Sequence, residues 1–301
     1  MKREKSGSAV WLLSTVVLAL ISAVARWWQT NSAFEGELRL PIRMAPASVM
    51  LTCVLIISCA ALLLLTNRQQ VARLPRGAAR AARWNRALAA PEDAVHLTMM
   101  VAAAFLSLLA VPVLLNKGWQ LWQNYQAVKA YTNTVPGGNN GVLMMITGLT
   151  SVLAFLGLLM AGRAAYRDEA KGRNLICLPA INGCVLLMET YRSHAADPVL
   201  WDYVPMLLAV VLGMLFYMDC AGLSAGEPHP LRTLWLAGMT VVLSAVALAA
   251  GWELGTALLL AAQILAALAV LRRLPLNLEN PPAIREKAEQ AEEIQEEEPH
   301  E

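Results

Sequence analysis

The sequence predicts an all-α fold, a polytopic bundle of about eight transmembrane helices with both termini on the cytoplasmic side. Three observations lead there. Hydrophobic residues make up 57% of the chain and charged residues 15%, against about 45–50% and about 25% in soluble proteins. Eight apolar runs approach the roughly 20 residues that carry a helix across about 30 Å of hydrocarbon. The basic residues then gather in alternate connections, as the positive-inside rule requires.

The first run, Ser8 to Ala25, follows a stub carrying Lys2, Arg3 and Lys5 and precedes Trp27-Trp28, a pair suited to the headgroup interface. A basic stub, an apolar run and Ala23-Val24-Ala25 also fit a signal peptide. The run is longer than the usual apolar region of about 7 to 15 residues, so a retained span is expected. The connection from Arg26 to Met44 reads as an external polar loop without site chemistry. Ala45 to Leu65 is the second span.

The loop from Asn67 to Ala94 is rich in arginine and alanine, and Ala78 to Trp84 is a run of good helix formers. At helical spacing Arg73, Arg76, Arg80 and Arg83 share one face. That makes them candidate contacts for anionic lipid headgroups, each contributing about 1 kcal/mol near the surface. The plainer alternative is a topology determinant that happens to be helical.

Span three, Val95 to Leu115, leads into Asn116 to Asn140, where Trp119, Trp122 and Tyr125 stack along one side of a helix leaving the membrane. Val135-Pro136-Gly137-Gly138 is then a turn. Span four, Gly141 to Gly162, precedes a basic loop with Arg163, Arg167, Lys171 and Arg173. Span five, Asn174 to Thr190, is the shortest and most polar. Spans six, seven and eight are Val199 to Asp219, Leu231 to Ala250 and Gly255 to Leu271. Residues 1–274 are therefore expected to form one transmembrane domain. Residues 275–301, with nine glutamates against Arg285 and Lys287, form an acidic, disordered cytoplasmic tail able to dock a protein partner.

A net charge of +2 gives no reason to expect nucleic acid. The five cysteines lie in or beside apolar runs without CxxC spacing, and the four histidines are scattered, so no metal and no cofactor are expected. No HExxH, GxSxG, Walker-type loop or paired intramembrane glutamates occur, and an enzyme is not expected.

Polar groups inside spans are costly and mark the candidate site. Asn182 follows Pro179 near the middle of span five, where a proline kink would free a backbone carbonyl. Glu189 and Asp202 lie at the mouth of the hairpin of spans five and six, together with Arg192, His194, Asp197 and Tyr203. Gln263 sits mid-span in the eighth run. Asn182, Glu189, Asp202 and Gln263 form the candidate solute path. Ordinary kinks, helix capping, a rim ion pair and helix-to-helix bonding explain the same residues without a path. Ala262/Ala266 and Ala247/Gly251 have the small-xxx-small spacing of close helix contacts.

Glu189-Thr190-Tyr191-Arg192 through Asp197-Pro198-Val199-Leu200, Tyr203 and Phe216-Tyr217 resemble a segment of uncharacterised multi-span membrane proteins of Gram-positive anaerobic bacteria, over about a sixth of the chain. The resemblance implies a multi-pass protein of a bacterial cytoplasmic membrane and no particular activity. Two functions remain in view: a non-catalytic scaffold or accessory subunit, and a small-solute or ion transporter with its path around spans five, six and eight.

Overall fold

The computed structural model describes residues 4–35, 40–42, 44–69, 71, 86–131, 139–169, 171–194, 200–225 and 229–280. Among them are eight long helices: α1 (Glu4–Ser32), α2 (Pro46–Arg68), α3 (Ala94–Tyr131), α4 (Asn140–Tyr166), α5 (Leu178–His194), α6 (Leu200–Ser224), α7 (Pro230–Leu248) and α8 (Leu254–Glu279). A 3₁₀ turn, Arg173–Cys177, leads into α5, and a two-residue antiparallel ladder pairs Phe34–Glu35 with Leu40–Pro41. All eight helices are long and apolar enough to cross a bilayer.

Their faces are inverted relative to those of a soluble protein. Along α1 the residues Ser8, Trp11, Thr15, Ala19, Ser22, Arg26 and Gln29, three or four apart, are buried, while Leu13, Leu20, Val24 and Trp27 are exposed. In α2, Ser58 and Thr66 are buried while Ile56, Ile57 and Leu64 are exposed. In α4, Thr147 and Ser151 are buried while Ile146, Leu149 and Leu156 face outward. Exposed apolar stripes on every side would aggregate in water. In lipid they are the solvated face, and the helices associate through small and hydroxyl-bearing residues. Several of these hydroxyls are satisfied by bonding backward: Ser58, Thr66, Ser107 and Thr147 each donate to the carbonyl four residues earlier.

The helices alternate in direction. We term the end where α1 begins and α8 finishes the base, and the opposite end the crown. Neighbouring contacts run α3–α4, α4–α5, α5–α6, α6–α7, α7–α8 and α8–α3, closing a six-helix ring. Helices α1 and α2 pack outside it, α1 against both α7 and α8 and α2 against α7. Accordingly 72% of the most apolar stretch of α7 is buried, against 22% for α2. The ring is tight where glycines meet: a Cβ on Gly141 would lie 2.5 Å from the Gly118 carbonyl oxygen, so only glycine permits this α3–α4 crossing.

Four details differ from the sequence reading. Helix α1 continues to Ser32, and Arg26 and Gln29 are buried in it, because lengthening the helix past the apolar run satisfies backbone groups that a loop would leave open. Pro179 is no mid-span kink. It occupies the first turn of α5, where a missing N–H leaves no bond unmade. Gly251 belongs to the α7–α8 turn with φ of 81°, so it makes no helix contact with Ala247, whereas Ala262 and Ala266 are buried in α8. Helix α8 runs beyond residue 274 with Pro275, Asn277 and Leu278 buried, and residues 281–301 lie outside the described residues.

Candidate functional site

The six-helix ring surrounds a small interior space of about 30 Å³ bordered by Ser107 of α3, Ala154 of α4, Asn182 of α5, Val210 and Tyr217 of α6, and Gln263 of α8. Such a volume holds about two water molecules. Gln263 is nine residues from the crown end of α8, about 14 Å at 1.5 Å per residue, near the middle of the hydrocarbon. Asn182 and Gln263, two of the four expected path residues, therefore meet at one place.

Both side chains are engaged by neighbouring helices. Asn182 Oδ1 accepts from Thr150 Oγ1 of α4 at 2.9 Å and, more weakly, from Ser151 Oγ at 3.5 Å. Gln263 Nε2 donates to the Ala209 carbonyl of α6 at 2.8 Å and to Ser244 Oγ of α7 at 3.0 Å. Gly213 makes the room: a Cβ there would fall on the Gln263 amide. One glutamine thus ties three helices, and one asparagine ties two.

Glu189 lies seven residues after Asn182 on the same face of α5, about 10 Å nearer the crown. It is buried, and its Oε1 accepts from Ser193 Oγ at 3.0 Å. One turn on, His194 stacks on Tyr203 of α6, with ring centroids 5.4 Å apart. It also meets Trp252 of the α7–α8 turn edge-on at 5.4 Å. Glu253, beside Trp252, pairs with Lys117 of α3 at 3.2 Å. Arg192 is exposed. The backbone of Asp202 falls in the first turn of α6, but its side chain lies outside the described residues, as do Asp197 and the four candidate headgroup contacts Arg73, Arg76, Arg80 and Arg83. Beyond the ring, Trp119 and Trp122 stack at 4.8 Å on the extension of α3.

The base of the ring is closed by the end of the second loop. Ala87, Leu88, Ala89 and Ala90 are buried there, and Leu88 borders a space of only about 20 Å³ with His96, Met100, Arg173 and Val270. Asn277 Nδ2 donates to the carbonyls of Ala87 and Ala89 at 2.8 and 2.7 Å, and the Ala90 N–H donates to Ala165 O at 2.9 Å. Arg86 and Arg173 both pair with Asp168.

Asp93 anchors the start of α3. Its Oδ1 caps the backbone N–H groups of Val95 and His96, and it pairs with Arg272, at 3.1 Å to Oδ2, and with Arg273. Burial works against its charge. The Arg272 hydrogen bond, the Arg273 charge and the His96 N–H together outweigh that and hold the carboxyl below its ordinary value. His96 Nδ1 lies 3.0 Å from the Ala269 carbonyl.

Sequence reasoning did not single out Arg26, Asp93, His96 or Trp252, and it named Tyr217 only within the resemblance and not as a residue bordering the cavity. For Arg26 a signal existed, since it continues the three-and-four spacing of Ser8, Trp11, Thr15 and Ser22. For the others contact across the ring was needed.

Eight apolar helices with polar inner faces and lipid-facing apolar stripes define a multi-pass helical membrane protein. Comparison of the chain with protein-family models, with curated proteins and with solved structures gives no match. Among the described residues no group of three or more His, Cys, Asp or Glu side chains could hold a metal ion.

Proposed function

We propose that the protein is a non-catalytic scaffold or accessory subunit of a bacterial cytoplasmic membrane, with both termini in the cytoplasm. The observation that carries this reading is the use made of the interior polar groups. Asn182 and Gln263 bond one helix to the next around a space for about two waters. A solute path needs room and free polar groups, whereas a rigid support needs its polar groups consumed. The count of basic residues in alternate loops supports the orientation. In this reading the acidic residues 281–301, which follow the packed end of α8, dock a protein partner, and Arg73, Arg76, Arg80 and Arg83 rest on anionic headgroups.

A second reading, a small-solute or ion transporter, is favoured by one observation: Asn182 and Gln263 border the same cavity, with Glu189 two turns above on the same face. One experiment separates the two. Single cysteines from Pro179 to Glu189 and along α6, in a cysteine-free background, are probed with membrane-impermeant reagents in whole cells and inverted vesicles. The scaffold reading expects labelling at helix ends only. Labelling deep in both helices, with proteoliposome uptake lost when Asn182, Glu189, Asp202 and Gln263 become leucine, would sink it in favour of transport.

A further inference from the structure

Between α1 and α2, outside the ring, lies a groove of about 430 Å³ bordered by Ser14, Val17, Leu18, Ala61, Leu64 and Arg68. The two helices are tied on either side of it. Toward the crown Gln29 Nε2 donates to Ser48 Oγ at 3.0 Å, and toward the base Trp11 Nε1 donates to Gln69 Oε1 at 2.8 Å. The groove is therefore a slot that lies between two tie points of a hairpin, and both walls are helices long and apolar enough to cross a membrane. Its size falls in the range of small-molecule sites, about 300–1,000 Å³.

The chemistry of its walls is graded. Val17, Leu18, Ala61 and Leu64 make the deeper part apolar. Arg68, the last residue of α2, stands exposed at the base end, at the depth of the headgroups, and among the described residues no carboxylate pairs with it. Between them Ser14 borders the slot and makes no hydrogen bond among the described residues, unlike the back-bonded hydroxyls of Ser58 and Thr66. The order cation, hydroxyl, hydrocarbon matches phosphate, ester and acyl chain.

We propose that this slot binds one glycerophospholipid with an anionic headgroup, its phosphate on Arg68, its ester region beside Ser14 and one acyl chain between Val17, Leu18, Ala61 and Leu64. Arg68 bonds phosphate as a planar fork, which a hydrated point charge would not reproduce. The site lies outside the ring and stands whether the ring is sealed or conducts.

The test uses the full chain purified in detergent and examined by native mass spectrometry with phosphatidylglycerol, phosphatidylcholine and inorganic phosphate. One phosphatidylglycerol is expected to be retained in preference to phosphatidylcholine, with no retention of phosphate alone. Arg68→Gln should weaken retention about fivefold, the effect of roughly one surface cation. Ala61→Trp, which fills the slot, should abolish it. Photo-crosslinking of a diazirine-labelled phosphatidylglycerol in vesicles should modify α1 and α2 in the wild type and not in Ala61→Trp. Equal retention of the two lipids, or an unchanged Arg68→Gln, overturns the proposal. The Arg68→Gln comparison decides alone if Ala61→Trp does not fold.

Discussion

Asp93 carries three jobs on one carboxylate, capping α3 and neutralising both Arg272 and Arg273 of α8. Its pKa is depressed in the folded protein. The stabilisation is therefore fully present above the unfolded carboxylate value of about 3.9 and is lost as pH falls through the lower folded value. Asp93→Asn keeps a capping oxygen but removes the negative charge that faces Arg272 and Arg273. We predict a loss of about 2–4 kcal/mol in thermal or denaturant unfolding at neutral pH. The difference between wild type and variant should shrink as pH is lowered below about 3.9. A gap that stays constant down to that range would refute the assignment.

At the scale of elements, the segment from Arg86 to Asp93 is a plug rather than a linker. Its backbone carbonyls cannot reach water where Ala89 and Ala90 are fully buried, so Asn277 supplies the missing donors. Asn277→Ala removes both bonds at once. The expected outcome is a loss of about 1–3 kcal/mol and faster amide exchange confined to residues 86–93 and the adjoining turn of α3. Exchange that accelerates uniformly over the bundle would mean that Asn277 serves global packing instead. Helix existence and order were legible in the sequence because 20-residue apolar runs have no other stable form in lipid. The plug was not legible, since Ala87-Leu88-Ala89-Ala90 reads as an ordinary loop end until α4 and α8 close over it. The end of α1 was also hidden, because nothing in Arg26 to Ser32 is apolar enough to mark a span, whereas the extension of α3 past Leu115 was legible from the spacing of Trp119, Trp122 and Tyr125.

For the whole molecule, orientation is the property the charge pattern speaks to most directly. Reporter fusions in the second loop, after Arg80, and in the fourth, after Lys171, are expected to remain cytoplasmic, while fusions after Gly137 and His194 are expected on the other side. The reverse pattern would invert the bundle and remove the cytoplasmic placement of the acidic tail. The inverted polarity of α1, α2 and α4 sets the boundary between bundle and lipid, and a ring closed by α8 against α3 leaves α1 and α2 as an outer hairpin.

The sequence by itself determined the class of protein, the number and order of the spans and the identity of the costly mid-span polar residues. Each of these follows from local composition measured against the thickness of hydrocarbon. Tertiary structure alone decided where those residues meet and which groups they bond. Asn182 and Gln263 are 81 positions apart in the chain and meet only because the ring closes. Whether an amide in lipid lines a path or ties helices together depends on which donors and acceptors the neighbouring helices bring within about 3 Å. The same holds for the slot between α1 and α2, whose apolar walls look like any span until the two helices pair, with Gln29–Ser48 and Trp11–Gln69 bonding them on either side of it.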